Sequence, residues 1–426
     1  MSERMETEGK EVLRTLGEAG YEAYFVGGCV RDKALGRPLK DIDIATSALP
    51  DEVMRLFPRH APTGLAHGTV TVIREHHTFE VTTFRKESEY EQFRRPKEVE
   101  FISDLNEDLR RRDFTINAMA LDAHGTRYDP FRGSADLEAG VIRCVGNPLE
   151  RFHEDALRML RAIRFACEYG FSLEEATWEA LLRHAPLLAH VAMERVGAEL
   201  DKMIEGRSPD RAVKLLAESG LTRHFKQPVV WPLAEWDEVP APAAAVKLTG
   251  VTGPELRWTA LFVLLEMSSG QAREAMKRLK FSGKKSSAIV RLLQMDEWMR
   301  QHLDKFRMED ERTGFETWAG ACVTFGKPVA ALWLELASWQ TESLEGRNWL
   351  QLLELGPGWI ERIPANRVTE LAVNGTELAA ELDKPAGPWL GALLQELLED
   401  TAKLRIRNER DILIHEAKNR VKRETM

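Results

Sequence analysis

The chain has 426 residues, 43% hydrophobic and 30% charged, with a formal net charge of −9 and four cysteines, which predicts two to four globular domains and excludes a disordered or collagen-like class. No apolar run reaches the ~18 residues of a membrane span, and the charged opening MSERMETEGKEV lacks a secretory h-region. Cys29, Cys144, Cys167 and Cys322 stand singly without a CxxC pair, so reduced thiols in a cytoplasmic protein are expected, and any nucleic-acid surface must be a local basic patch.

Residues 3–20 have helical apolar spacing, with Met5, Val12, Leu13 and Leu16 on one side. A strand, Ala23–Val26, runs into Gly27-Gly28-Cys29-Val30-Arg31-Asp32, a glycine turn opening a short helix. Lys40-Asp41-Ile42-Asp43-Ile44-Ala45-Thr46 reads as a second strand, and Pro50 suits the first turn of the helix after it. Gly68–Arg85 alternates around Glu75-His76-His77 as a hairpin. Lys86–Lys97 is polar and reads as a surface loop, and Val99–Ser103 as a short strand. Met119–Leu121 and Thr126–Tyr128 form a second hairpin turning at His124-Gly125.

After Gly146-Asn147-Pro148 the alternation fades and a 3.6-residue period dominates. Helices are expected over Ala156–Glu168, Leu173–His184, Arg195–Ile204 and Asp210–Ser219, and in several segments from Trp258 to Asp400. Gln227–Pro242 and Gly356–Asn366 read as joints. Tryptophans 258, 298, 318, 333 and 339 are expected to pack in the helical core. The fold class is therefore α+β: an α/β head with a small mixed sheet, followed by an all-α remainder.

The chemistry concentrates at the second strand. Asp41 and Asp43 are two apart and project from one face. Such carboxylates repel unless a cation lies between them, and Mg²⁺ fits because it keeps positions for water and substrate phosphates. Gly28 permits close approach of a phosphate, and Arg31 adds a charged fork. These features predict a metal-dependent enzyme acting on a nucleoside triphosphate. Glu80 in FEVTTFR is the candidate third carboxylate. Arg110-Arg111-Arg112 offers planar donors for phosphate oxygens, and Asp113 and Asn117 are expected to fix the turn beyond them.

In Glu154-Asp155-Ala156-Leu157-Arg158-Met159-Leu160-Arg161-Ala162-Ile163-Arg164 a continuous helix would put Asp155 and Arg158 one turn apart on one face. A carboxylate accepts from the exocyclic amino group of cytosine or adenine. A neighbouring arginine donates to the ring acceptor beside that group. Uracil and guanine present the reverse pattern.

The stretches GGCVRD, LKDIDIATSALPDEV, HGTV, RRDFTINAMA and EDALRMLRAIRFACEYGF together resemble the class II bacterial tRNA nucleotidyltransferases, the CCA-adding enzymes of the polymerase β-like nucleotidyltransferase superfamily. PLLAHVAMERVGAELDKM, ELAVNGTEL and KPAGPW extend the resemblance almost to the C-terminus. It implies a catalytic head over 1–145, a base-recognising neck over 146–206, a helical body over 207–305 and a tRNA-binding tail over 306–426. By motif position, Asp41 and Asp43 would bind Mg²⁺, and Gly28, Arg31 and Arg112 would contact the triphosphate. Asp155 and Arg158 would be an amino-acid template, with Arg161 and Arg164 nearby. The segment Arg85–Pro96 resembles the family's flexible loop, although its opening is ESEY without the usual glycine.

The implied partners are CTP, ATP and the acceptor and T-stem region of tRNA, with no membrane and no obligatory protein partner. Two basic stretches could meet tRNA phosphates: Arg273–Arg291 and the tail Lys403–Met426. Within the class, the alternatives are a bacterial poly(A) polymerase and an A-adding or CC-adding enzyme. Outside it, the alternative is a catalytically silent RNA-binding protein.

Overall fold

A computed structural model describes residues 2–87, 90–91, 95–96, 99–229, 247–306, 310–340 and 347–424. The chain divides into two compact units, Met1–Val246 with Arg278–Lys280 and Lys247–Lys277 with Phe281–Met426.

The first unit opens with α1 (Ser2–Glu18), which buries Met5, Val12, Leu13 and Leu16 as its spacing requires. The main-sheet strands up to residue 83 are β1 (Ala23–Val26), β2 (Asp43–Thr46), β3 (His60–Gly64), β4 (Thr69–Ile73) and β5 (Thr78–Thr83). A separate ribbon pairs β6 (Arg85–Glu87) with β7 (Val99–Phe101). The sheet is completed by β8 (Ala120–Leu121) and β9 (Arg127–Tyr128), giving seven strands in the order β9-β8-β1-β2-β5-β4-β3. Only β2 and β5 run parallel; the other pairings are antiparallel. Both expected hairpins are present, as β4–β5 and β8–β9.

Period-two alternation decides which face is wet. Val70, Val72, Phe79 and Val81 are fully buried, and Glu80 is exposed between Phe79 and Val81. Ile42 and Ile44 are buried, so Asp41 and Asp43 emerge on the opposite side. The parallel register sets Glu80 directly opposite Asp43. Between β1 and β2 lies α2 (Gly28–Ala34), and α3 (Pro50–Leu56) begins at Pro50 as expected. After β7 come α4 (Leu105–Arg110) and, after β9, α5 (Gly133–Ala139). The remaining helices are α6 (Pro148–Glu154), α7 (Leu157–Tyr169), α8 (Glu175–His184), α9 (Met193–Glu205) and α10 (Pro209–Ser219).

Two local expectations change. The helix through Glu154 and Arg158 is broken: Asp155 has φ −139° and ψ 102° and separates α6 from α7. Its carboxylate accepts from the Leu157 backbone N–H at 3.1 Å, so Asp155 satisfies an otherwise orphaned donor at the start of α7. The helix expected from Leu173 begins at Glu175, because Ser172 and Leu173 pair in parallel with Val141 and Ile142.

The second unit is helical throughout its described residues: α11 (Pro254–Leu264), α12 (Ser269–Arg278), α13 (Gly283–Gln301), α14 (Glu311–Phe325), α15 (Lys327–Trp339), α16 (Arg347–Arg362), α17 (Gly375–Glu381), α18 (Pro388–Ala402) and α19 (Arg410–Glu424). Trp258, Trp318 and Trp333 are fully buried core residues. The joint expected at 356–366 is helical as far as Arg362 and breaks only afterwards. Packing overrides Pro357 there: Leu352 and Trp359 are buried, and a Cβ on Gly356 would stand 2.9 Å from Leu334. The expected loop over 86–97 and joint over 227–242 lie largely outside the described residues.

Candidate active site

An open cleft of about 460 Å³ in the first unit gathers Gly28, Arg31, Asp41, Asp43, Arg112, Asp155, Arg158, Arg161 and Arg164. Nine of the ten residues singled out from the sequence thus face one space, and the tenth, Glu80, is the strand neighbour of Asp43.

The floor is the end of β2. Among the described residues the Asp41, Asp43 and Glu80 carboxylates have no hydrogen-bond or ion-pair partner. Withdrawal from bulk water, then the charges of Asp41 and Glu80, push the Asp43 carboxyl up to about 6, while Arg112 opposes them. A cation would relieve this repulsion. No group of three or more metal-ligating side chains is found among the described residues. Two unpaired carboxylates would suit an ion whose remaining positions are filled by water and phosphate oxygens.

Gly27 makes the turn beside the floor. Its φ is +72°, and a Cβ there would lie 2.9 Å from the Arg112 guanidinium, so both backbone and space require glycine. Arg31, 6% exposed, is fixed by Asp32 at 3.0 Å, by Asn117, and by the rings of Phe165 and Tyr169 at 5.3 and 4.7 Å. Arg112 leans on Asp108 at 3.4 Å, and its buried Nε has no partner. Arg112 lines the cleft, and a guanidinium there suits an anionic oxygen. Beneath the floor, the Cys29 thiol is buried, donates to the Val26 carbonyl at 3.3 Å, and is pushed by burial to about 12.

The wall is built by α6, α7 and α9, and there every acid named here has an arginine. Asp113 holds Arg161 at 2.6 Å and accepts from Asn117 and the Phe114 N–H, fixing the turn as expected. Burial pushes its carboxyl up, but Arg161, Asn117 and Arg158 outweigh that and hold it well below the usual range. Arg164 pairs with Glu199 at 2.6 Å, and Arg158 with Glu154 at 2.6 Å. Asp155 is gripped by Arg195 rather than by Arg158. Sequence reasoning missed Arg195 and Phe165 as cleft residues. No local spacing relates Arg195 to Asp155.

In the second unit the two basic stretches differ. In the tail, Arg405 pairs with Glu316 and Asp400, Arg420 with Glu396, Asp400 and Glu416, and Lys418 with Glu381. On α12 and α13, Arg273, Lys277 and Lys284 are exposed and have no acidic partner among the described residues. No described helix is long and apolar enough to cross a membrane.

Residues 23–143 match the poly A polymerase head domain, which sets the class: the protein is a nucleotidyltransferase. Residues 170–232 match a probable RNA- and SrmB-binding site of polymerase A, and 251–417 a putative second domain of tRNA nucleotidyltransferases. The chain is 39% identical over 407 residues to the CCA-adding enzyme of Geobacillus thermodenitrificans, covering 94% of this chain and 93% of that one. It is 38% identical over 414 residues to that of Anoxybacillus flavithermus, covering 97% of each. The crystal structure of the Bacillus stearothermophilus CCA-adding enzyme in complex with CTP superposes with a TM-score of 0.81 at 32% identity, covering 99% of both chains. The Thermotoga maritima CCA-adding enzyme complexed with tRNA shares the fold at TM-score 0.64 and 20% identity, over 97% of this chain and 94% of that one. The chain belongs to the family of CCA-adding enzymes.

Proposed function

We propose that this cleft transfers CMP, CMP and AMP in turn from CTP and ATP to a tRNA 3′ end, releasing pyrophosphate, with Asp41 and Asp43 as ligands of Mg²⁺. The observation that carries this reading is the uncompensated carboxylate pair facing an arginine-lined wall within one cleft. Supporting it, one relative was crystallised with CTP, and a protein of the same fold is complexed with tRNA.

Bound Mg²⁺ supplies Lewis-acid activation of the terminal 3′-hydroxyl and neutralises charge on the leaving pyrophosphate. The chain's own residues do the rest. Glu80, opposite Asp43 on the neighbouring strand, adds negative charge beside the pair that would hold the ion. Arg112 offers its guanidinium to a phosphate oxygen, and Gly28 and Arg31 line the phosphate side. Arg161 and Arg164 keep the wall positive. Asp155 accepts from cytosine N4 or adenine N6 and Arg158 donates to the adjacent ring nitrogen, so that U and G meet like against like.

The head is assigned to 1–145, the neck to 146–206, the body to 207–305 and the tail to 306–426. The acceptor and T-stem phosphates fall to Arg273, Lys277 and Lys284, which are exposed and have no acidic partner among the described residues. The four buried free cysteines support a cytoplasmic location.

The test is incubation with tRNA lacking its 3′ end and each nucleotide in turn. Ordered addition of C, C and A that then stops is expected, and only with a divalent ion present. A lengthening A tail would make the protein a poly(A) polymerase. Arrest after CC, or addition of A only to CC-ended tRNA, would make it a partial enzyme.

A further inference from the structure

The Asp155 carboxylate is held from outside its own segment. Arg195, in the first turn of α9, donates Nη1 to Oδ1 at 3.2 Å and Nη2 to Oδ2 at 2.7 Å. Both side chains line the cleft, and the pair is largely withdrawn from solvent, at 31% and 16% exposure. Arg158 is committed elsewhere: to Glu154 at 2.6 Å and to the carbonyls of Arg151 and Arg111 at 3.1 and 2.8 Å. The prospective template acid is thus oriented by an arginine 40 residues away in sequence.

An ionised carboxylate has about four acceptor sites. Arg195 takes one on each oxygen, and the Leu157 backbone N–H takes a second on Oδ1 at 3.1 Å. One site remains, on Oδ2, for one N–H of a base. The terminal torsion of an aspartate is broad and two-fold, so a carboxylate without this grip would rotate, and a bridging water could then reconcile it with a carbonyl. A bidentate guanidinium removes that freedom because its donors are coplanar and fixed in spacing.

We infer that Arg195 is a positioning residue for nucleotide choice: its fork fixes the plane of Asp155 so that one acceptor, and no donor, meets the base edge. The inference rests on the base-reading role assigned to Asp155 above. Arg195 acts through that carboxylate. A lysine would keep the charge and lose the fork.

The experiment compares kcat/KM for CTP and for UTP on tRNA lacking its 3′ end, in the full-length wild type, R195K, R195Q and D155N, with thermal melts to establish folding. R195K and R195Q are expected to lower the preference for CTP over UTP by at least about fivefold, the lower end of what one bidentate contact discriminates. A merely structural role would depress the use of both nucleotides together and leave their ratio alone. Therefore a smaller change in that ratio, in whichever Arg195 variant is folded, overturns the inference if D155N does relax the preference. If D155N leaves the preference intact, the base-reading role itself fails and takes this inference with it. R195K preserves charge and stem length and secures a folded variant for the comparison.

Discussion

Acids stand on both sides of the nucleotide cleft, and their surroundings are opposite. On the floor, Asp41 and Asp43, with Glu80 beside Asp43 on the next strand, have no hydrogen-bond or ion-pair partner among the described residues, and Asp43 is pushed up to about 6. On the wall, Asp113, Glu154, Asp155 and Glu199 each hold an arginine, and Asp113 is held well below the usual carboxylate range. In the reading proposed above, the unpaired acids of the floor await a cation, and the paired acids of the wall are held in fixed directions by their arginines.

The largest effect should come from the floor. Replacing Asp43 or Asp41 by Ala should lower incorporation of labelled CTP by about 10³-fold or more, since several kcal/mol of transition-state stabilisation would pass through the ion proposed for them. Thermal melts of the metal-free variants should not fall. The sign follows from the raised carboxyl: the folded state of the metal-free protein binds the Asp43 proton more tightly than the unfolded chain. Its contribution to stability therefore declines as pH rises from near 4 through about 6. An Asp43→Asn variant should lose that decline; a variant that melts lower at pH 7.5 would place Asp43 among the paired acids.

On the wall the ledger reverses. Asp113→Asn strips a buried partner from Arg161 and should cost about 3 kcal/mol in urea unfolding at neutral pH. Because the folded carboxyl is depressed, that advantage is present above the unfolded value near 4 and shrinks as pH falls below it. A gap that stayed constant down to pH 3 would contradict the pairing.

Asp155→Ala comes next, with nucleotide selectivity as its readout. Discrimination of C and A against U and G should weaken by about 1–3 kcal/mol, or about 5–150-fold. Unchanged selectivity would leave the wall without a reading function.

The smallest effect carries the same distinction into the second unit. Lys277→Ala should lower the slope of log affinity for tRNA against log salt by about one, because a free cation releases a counterion on binding. Arg420→Ala, which removes a side chain already paired with three acids, should leave the slope unchanged and lower the melting temperature. Equal slopes in both variants would dissolve the distinction between the two basic stretches.

The floor was legible because its determinants are local. Asp41 and Asp43 owe their shared face to a period of two, and the glycine turn lies a dozen residues away in the same supersecondary unit. The wall was legible in its residues but not in its pairings. Asp155 ends α6 although neither proline nor glycine marks the break and the apolar period runs on; its carboxylate accepts from the Leu157 N–H and is held by Arg195. That Arg195 closes on it depends on how α9 docks against α7, which is long-range packing. Helix α16 errs in the other direction: Gly356-Pro357-Gly358 reads as a joint, yet Leu334 fills the space over Gly356 and carries the helix through.

The buried Cys29 gives the floor a clock. Thiolate, not thiol, attacks alkylating reagents, and a thiol that ionises only near 12 under a closed sheet is inert at neutral pH until the segment around it opens. Its labelling rate, read by peptide mapping against Cys144, Cys167 and Cys322, therefore counts openings beneath Asp43. Any ligand that settles on the closed floor slows that rate by the factor 1 + [L]/Kd. Nucleotide and ion affinities can thus be timed in a protein that is never asked to turn over.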